Sequence, residues 1–154
     1  MSRIYHLIFS SLLALLFLSC SPSSKIGKIF TTEDANNLFG NVIYSVKIDA
    51  DLLINLLNKT EKNIMFGLIN KNLIILGDNR KLIYPEKAQY KESDVFTVYS
   101  KDVVKELLLN SSLKKPNSNE PEIVYVEQRR EVLSVSTDTK TLETGSKCPP
   151  SCFD

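Results

Sequence analysis

Two stretches of this chain repeat one arrangement of apolar and polar positions. The first opens with Val42-Ile43-Tyr44-Ser45-Val46-Lys47-Ile48 and continues through Asp49 to Leu52, Leu53, Leu56 and Leu57. Its β-branched and aromatic opening predicts a strand, Asp49 supplies a helix N-cap, and the i, i+1, i+4, i+5 leucines give an amphipathic helix. The second opens with Val95-Phe96-Thr97-Val98-Tyr99, caps with Ser100 and places Val103, Val104, Leu107 and Leu108 at the same spacing. Asp51 and Asp102 hold the same place in the first helical turn, where the helix dipole favours an acid. A hairpin pattern follows each helix. Ile64–Ile69 turns at Asn70-Lys71 into Leu73–Leu76, and Ile123–Gln128 turns at Arg129-Arg130 into Val132–Val135, the two aligning without a gap.

The pattern predicts an α+β domain over residues 31–137, made of two β-α-β-β units (42–84 and 95–137). The simplest packing is one largely antiparallel sheet with the helices packed on one face. Lys114–Pro121 is an extra loop in the second unit. Upstream, Thr32-Glu33-Asp34-Ala35 reads as a helix start with Thr32 as N-cap, Leu38 and Phe39 as its apolar patch and Gly40 as its stop. The first hairpin is apolar on both sides, so its second face needs a cover. That helix is the expected one, with a partner protein or a second copy of the chain as the alternative. Asp78-Asn79-Arg80 reads as a polar turn, Leu82-Ile83-Tyr84 as a short strand, Glu86–Ser93 as a solvated link and residues 138–154 as a tail carrying a cysteine pair.

The first twenty residues follow a different logic. Arg3 is followed by Leu7-Ile8-Phe9 and then by Leu12 through Leu18, an apolar run that stops at Ser19-Cys20. It is shorter than the about 20 apolar residues a spanning helix needs, and it has the length of a signal-peptide core. Phe17-Leu18-Ser19-Cys20 resembles the lipobox of bacterial lipoproteins. The resemblance implies cleavage after residue 19, diacylglycerol on the Cys20 thiol and acylation of the new amino terminus with a palmitate-type chain. Several chains suit a durable anchor, because a single chain binds a bilayer only marginally. Serine after the cysteine resembles the outer-membrane sorting preference of some diderm bacteria. Residues 20–30 then form the lipidated cysteine and its polar tether.

Composition narrows the chemistry. Removing residues 1–19 takes Arg3 from the 19 Lys+Arg and nothing from the 18 Asp+Glu, leaving 18 of each. A neutral chain offers no basic excess for nucleic acid, so the expected partners are membrane lipid through Cys20 and an envelope protein or a second copy. The single histidine, His6, lies in the leader. The remainder therefore has no imidazole for general-base work, for a Ser-His-Asp system or for metal ligation.

Cys148-Pro149-Pro150-Ser151-Cys152 has the most specific chemical pattern left. A small structural disulfide between Cys148 and Cys152 is the expected state in an exported protein. Pairing between chains and thiol–disulfide exchange are the alternatives, although the three-residue spacing differs from that of thioredoxin-like motifs. Asp49-Ala50-Asp51 lacks the glycine and glutamate of a calcium loop. Arg129-Arg130 with Lys71 reads as solvated hairpin tips, and Asp78, Arg80 and Glu127 as ordinary surface charge. Asn58-Lys59-Thr60 and Asn110-Ser111-Ser112 match glycosylation sequons only formally. No catalytic, cofactor or metal residues are assigned. The expectation is a non-enzymatic binding or structural module anchored in the cell envelope at the outer membrane, with thiol–disulfide activity at Cys148 and Cys152 as the competing reading.

Overall fold

The computed structural model describes residues 25–112, 122–130 and 132–149. Along them run β1 (Lys28–Thr31), α1 (Thr32–Phe39), β2 (Tyr44–Asp49), α2 (Ala50–Leu57), β3 (Asn63–Ile69) and β4 (Asn72–Leu76). A 3-10 turn at Asp78–Arg80 leads to β5 (Leu82–Tyr84), β6 (Phe96–Ser100), α3 (Lys101–Ser112), β7 (Ile123–Arg129), β8 (Val132–Ser136), β9 (Lys140–Glu143) and β10 (Ser146–Cys148). The local chemistry is as the pattern requires at several ends. Asp49 accepts the Leu52 N–H at 2.9 Å to start α2, and Gly40, at φ 88°, ends α1 by donating its N–H to Asn36. The N-cap of α1 is Thr31 rather than Thr32. Its hydroxyl accepts the Asp34 N–H at 3.0 Å, which leaves Thr32 as the first helical residue.

The fold is α+β, with three helices and two antiparallel five-stranded sheets among the described residues, where one sheet was expected. Sheet I has the order β1-β9-β8-β7-β2, and sheet II the order β10-β6-β3-β4-β5. The reason is an exchange of strands. The first strand of each repeated unit pairs with the hairpin of the other unit: β2 with β7, β6 with β3. Asp49 faces Ile123 just as Ser100 faces Asn63, so the two exchanges are in matching register.

Between the sheets lies the main core. Leu53, Leu56 and Leu57 of α2 and Val103, Val104, Leu107 and Leu108 of α3 pack there with Ile64, Phe66, Tyr99, Val124, Val126 and Val135. The second face of the first hairpin is covered by a separate cluster, in which Met65, Ile74, Leu76, Phe96, Val98 and Cys148 pack with Ile26, Ala88 and Tyr90. The cover therefore comes from the 85–95 segment, β10 and Ile26, and α1 sits elsewhere with Leu38 61% exposed. The segment read as a solvated link anchors its middle through Tyr90, whose hydroxyl donates to the Arg80 carbonyl at 2.6 Å. The expected tail is also structured as far as it is described. It supplies β9 to sheet I and β10 to sheet II, crossing between them at Gly145. That glycine is required by space, since a Cβ there would lie 2.4 Å from Thr97 Cγ2.

Two side chains of β6 tie the sheets together. Leu133 lies beyond the β8–β9 partner pairs, so its backbone polar groups need partners from outside that ladder. Thr97 Oγ1 accepts the Leu133 N–H at 2.9 Å, and the Tyr99 hydroxyl donates to the Leu133 carbonyl at 2.6 Å. Burial, and then the charge of Glu143, raise the Tyr99 phenol well above its ordinary pKa against the opposing Gly145 N–H, so it stays a donor. Tyr99→Phe should cost about 1–3 kcal/mol by urea denaturation, the penalty for leaving a buried carbonyl unpaired. A cost below about 0.5 kcal/mol would remove this bridge from the account.

Candidate functional site

The outer face of sheet I holds the densest polar cluster among the described residues, and it arises from a shift of one residue. The second hairpin turns after Arg129, which pairs with Val132 and completes β7; Arg130 begins the turn. The hairpin pattern in the sequence predicts a turn at Arg129-Arg130 with both side chains solvated. A one-residue shift in a strand moves a side chain to the opposite face. Arg130 is exposed, whereas Arg129 is 1% exposed and the largest fully buried side chain.

Arg129 is surrounded by acceptors. Its Nη1 donates to Asn36 Oδ1 at 2.6 Å and to the Gly40 carbonyl at 2.7 Å, holding the C-terminal end of α1. Nη2 donates to Glu127 Oε2 at 2.9 Å, while Nε lies 3.2 Å from Glu143 Oε1, within ion-pair range but not aligned as a hydrogen bond. Glu143 is fully buried, and Ser134 donates to its Oε1 at 2.6 Å. Ser136 donates to Glu127 Oε2 at 2.7 Å. Burial pushes the Glu143 carboxyl above the ordinary carboxylate range; Ser134 and Arg129 pull it down, and the Glu127 charge pushes it up again. Chemically the cluster is a structural clamp, because its members face one another beneath a helix.

The other charges singled out in the sequence lie apart from it and from each other. Asp78 closes the loop between α2 and β3. Its carboxylate accepts the N–H groups of Glu61 at 2.6 Å and Asn63 at 2.9 Å and sits 2.6 Å from the Thr60 hydroxyl. Burial alone would raise its pKa, but the bonds from Thr60, Glu61, Asn63 and Lys62 together outweigh burial and hold it below the ordinary value. Arg80 stacks its guanidinium over Phe96 at 5.0 Å and Tyr90 at 5.7 Å, with Nη1 3.3 Å from Cys148 Sγ. Asp78, Arg80 and Glu127 thus do not converge on one acid–base site.

Cys148 is disulfide-bonded and fully buried in β10, opposite Phe96. Cys152 and Cys20 lie outside the described residues, as does His6. The shallow depressions among the described residues include two that bear on binding. One, of ≈ 430 Å³, is lined by Ile43, Tyr44, Leu68, Lys71 and Gln128, and the other, of ≈ 460 Å³, by Lys59, Lys81, Leu82, Ile83 and Glu86. The first opens beside β2, the terminal strand of sheet I among the described residues, where Ile43 is 68% exposed. Lys71 projects over the Tyr44 ring, 6.0 Å from its centroid, and the Tyr44 hydroxyl donates to the Lys71 carbonyl at 3.1 Å. An apolar floor with a cation at its rim suits contact with another surface. Among the described residues, no group of three His, Cys, Asp or Glu side chains could hold a metal ion, and no helix is long and apolar enough to cross a membrane.

Neighbouring arginines should behave differently. Arg129→Met leaves the buried Glu143 and the partly buried Glu127 without their cation and should cost about 3–5 kcal/mol. Arg130→Met should stay within about 0.5 kcal/mol of the wild type. Chemical denaturation of both variants checks the turn position, and equal losses would contradict it.

The chain matches no protein-family model, no curated protein sequence and no solved structure.

Proposed function

We propose that this protein is an envelope lipoprotein, held at a membrane by acyl groups on Cys20 and working there as a non-enzymatic binding or structural module. The observation that carries the reading is the join between leader and domain. The apolar run ends at Ser19-Cys20, and Ile26 is tied to the domain. Ile26 already exchanges two hydrogen bonds with Ser100, its N–H to the hydroxyl at 2.8 Å and its carbonyl from the N–H at 3.0 Å. Ile26 lies six positions after Cys20, a maximal reach of about 20 Å. A globule on so short a leash stays beside the bilayer, and the outer membrane is the proposed address.

The binding reading draws support from the open edge of β2. There Ile43, together with Tyr44 and Leu68, presents apolar surface next to the Lys71 rim. The prominent buried or partly buried charges, Arg129, Glu127 and Glu143, are engaged in holding the fold together. Burial of the Cys148 sulfur beside Arg80 and Phe96 favours a structural disulfide over an exchanging one, since exchange needs an accessible sulfur. The matching registers of β2–β7 and β6–β3 support descent of the two β-α-β-β units from one duplicated segment.

Expressed in a diderm host, the wild-type protein should partition into the detergent phase and show an intact mass that lacks residues 1–19 and includes acyl chains. Cys20→Ser should partition into the aqueous phase or retain its leader. Wild-type protein without lipid would overturn the proposal.

A further inference from the structure

Beneath α1, sheet I sets two carboxylates, the buried Glu143 and the partly buried Glu127, against one guanidinium. Glu127 and Glu143 both address Arg129, at 2.9 and 3.2 Å, so the cluster carries one uncompensated negative charge when both are ionised. Glu143 Oε2, in a fully buried residue, lacks a hydrogen-bond partner among the described residues. Leaving such groups unsatisfied is costly at low dielectric. We propose that Glu143 is a pH-sensitive latch for α1: protonated, it closes the cluster under the helix, and ionised, it favours release of the helix from sheet I.

Apart from the Thr32 N–H, which donates to the Thr139 carbonyl at 3.3 Å, the helix depends on the cluster for its polar attachment. Eight residues are too few for a helix to persist alone. Ala35 is its one buried residue, and its aromatic contact is the edge packing of Phe39 on Phe30. Arg129 supplies the polar attachment through Asn36 and the Gly40 carbonyl. Excess negative charge beside that carbonyl end of the helix is unfavourable.

The surroundings make Glu143 the group that titrates. From β7 it meets Arg129 and Glu127, from β8 the hydroxyl of Ser134, and from sheet II the neutral phenol of Tyr99. Lys28 of β1 is its ladder partner, but that residue is exposed and its ammonium lies over the Phe30 ring. On α1, Thr32 cannot titrate in this range, and Glu33 and Asp34 are exposed. Burial raises the Glu143 pKa, so the covered state binds a proton that the uncovered state releases. Stability of the covered state therefore falls as pH rises from the ordinary value of 4.5 through the raised one. Release of α1 would uncover Arg129, Glu127 and the hydroxyls of Ser134 and Ser136.

This inference is independent of the lipid anchor. Hydrogen–deuterium exchange on the purified full-length chain, with α1 protection corrected for intrinsic exchange and followed from about pH 4 to about pH 8, tests it. Wild-type protection should fall with rising pH, by about tenfold for each unit between the covered and ordinary Glu143 pKa. Glu143→Gln should keep α1 protected at all pH values, and Glu33→Gln should retain the wild-type fall. A flat wild-type profile overturns the latch without recourse to any variant, and so does an undiminished fall in Glu143→Gln.

Discussion

The structure depends on one pairing constraint: the strand that opens each repeated unit is hydrogen-bonded to the hairpin of the other. β2 completes sheet I against β7, and β6 completes sheet II against β3. Neither unit can form its own sheet without the other, so the two are closed together around the leucines of α2 and α3. The terminal segments extend this interlocking. β1 and β9 pair with each other in sheet I, while Ile26 and β10 both occupy the outer edge of β6 in sheet II. Chain ends that are tied into ladders in this way resist fraying.

From that pairing follows the polar chemistry of the outer face of sheet I. With β7 and β8 fixed in register, Glu127, Arg129, Ser134 and Ser136 share one side, opposite Val126, Leu133 and Val135 in the core. β9 adds Thr141 and Glu143 to the same side. A face with this much hydrogen-bonding capacity cannot be covered by an apolar helix, and α1 is correspondingly polar, attached through Asn36 and its own terminal carbonyl. The position of α1 therefore follows from where polar groups need partners more than from its two apolar side chains.

Much of the element order was legible in the sequence. The helices, their caps at Asp49 and Gly40 and the core positions of Leu53, Leu56, Leu57, Val103, Val104, Leu107 and Leu108 follow from period and cap chemistry alone. The division into two sheets was not legible, because periodicity within a strand carries no information about which strand lies beside it. The double-sided apolarity of Ile64–Ile69 and Leu73–Leu76 was a correct signal of a covered second face, attributed to the wrong cover. Arg129 was misread for a narrower reason. Two adjacent arginines at a hairpin tip look alike in sequence, and a turn placed one residue early makes a buried cation seem solvated. The capacity of Ser134, Ser136 and Glu127 to ring a cation was visible only as a wet sheet face. Residues 138–154 read as a tail because the two strands within them, Lys140–Glu143 and Ser146–Cys148, are short and one contributes to each sheet.

These features fit a small module closed on itself, its strand-edge residue Ile26 six positions from the cysteine proposed to carry the lipid. The exchanged pairing is the claim on which the core, the buried clamp and the open edge of β2 all rest. It is tested most directly by cross-strand nuclear Overhauser contacts in the labelled protein. The account predicts contacts of Ile48 with Val124 and of Tyr99 with Ile64. Contacts of Ile48 with β3 and of Tyr99 with β7 instead, each unit pairing within itself, would contradict it.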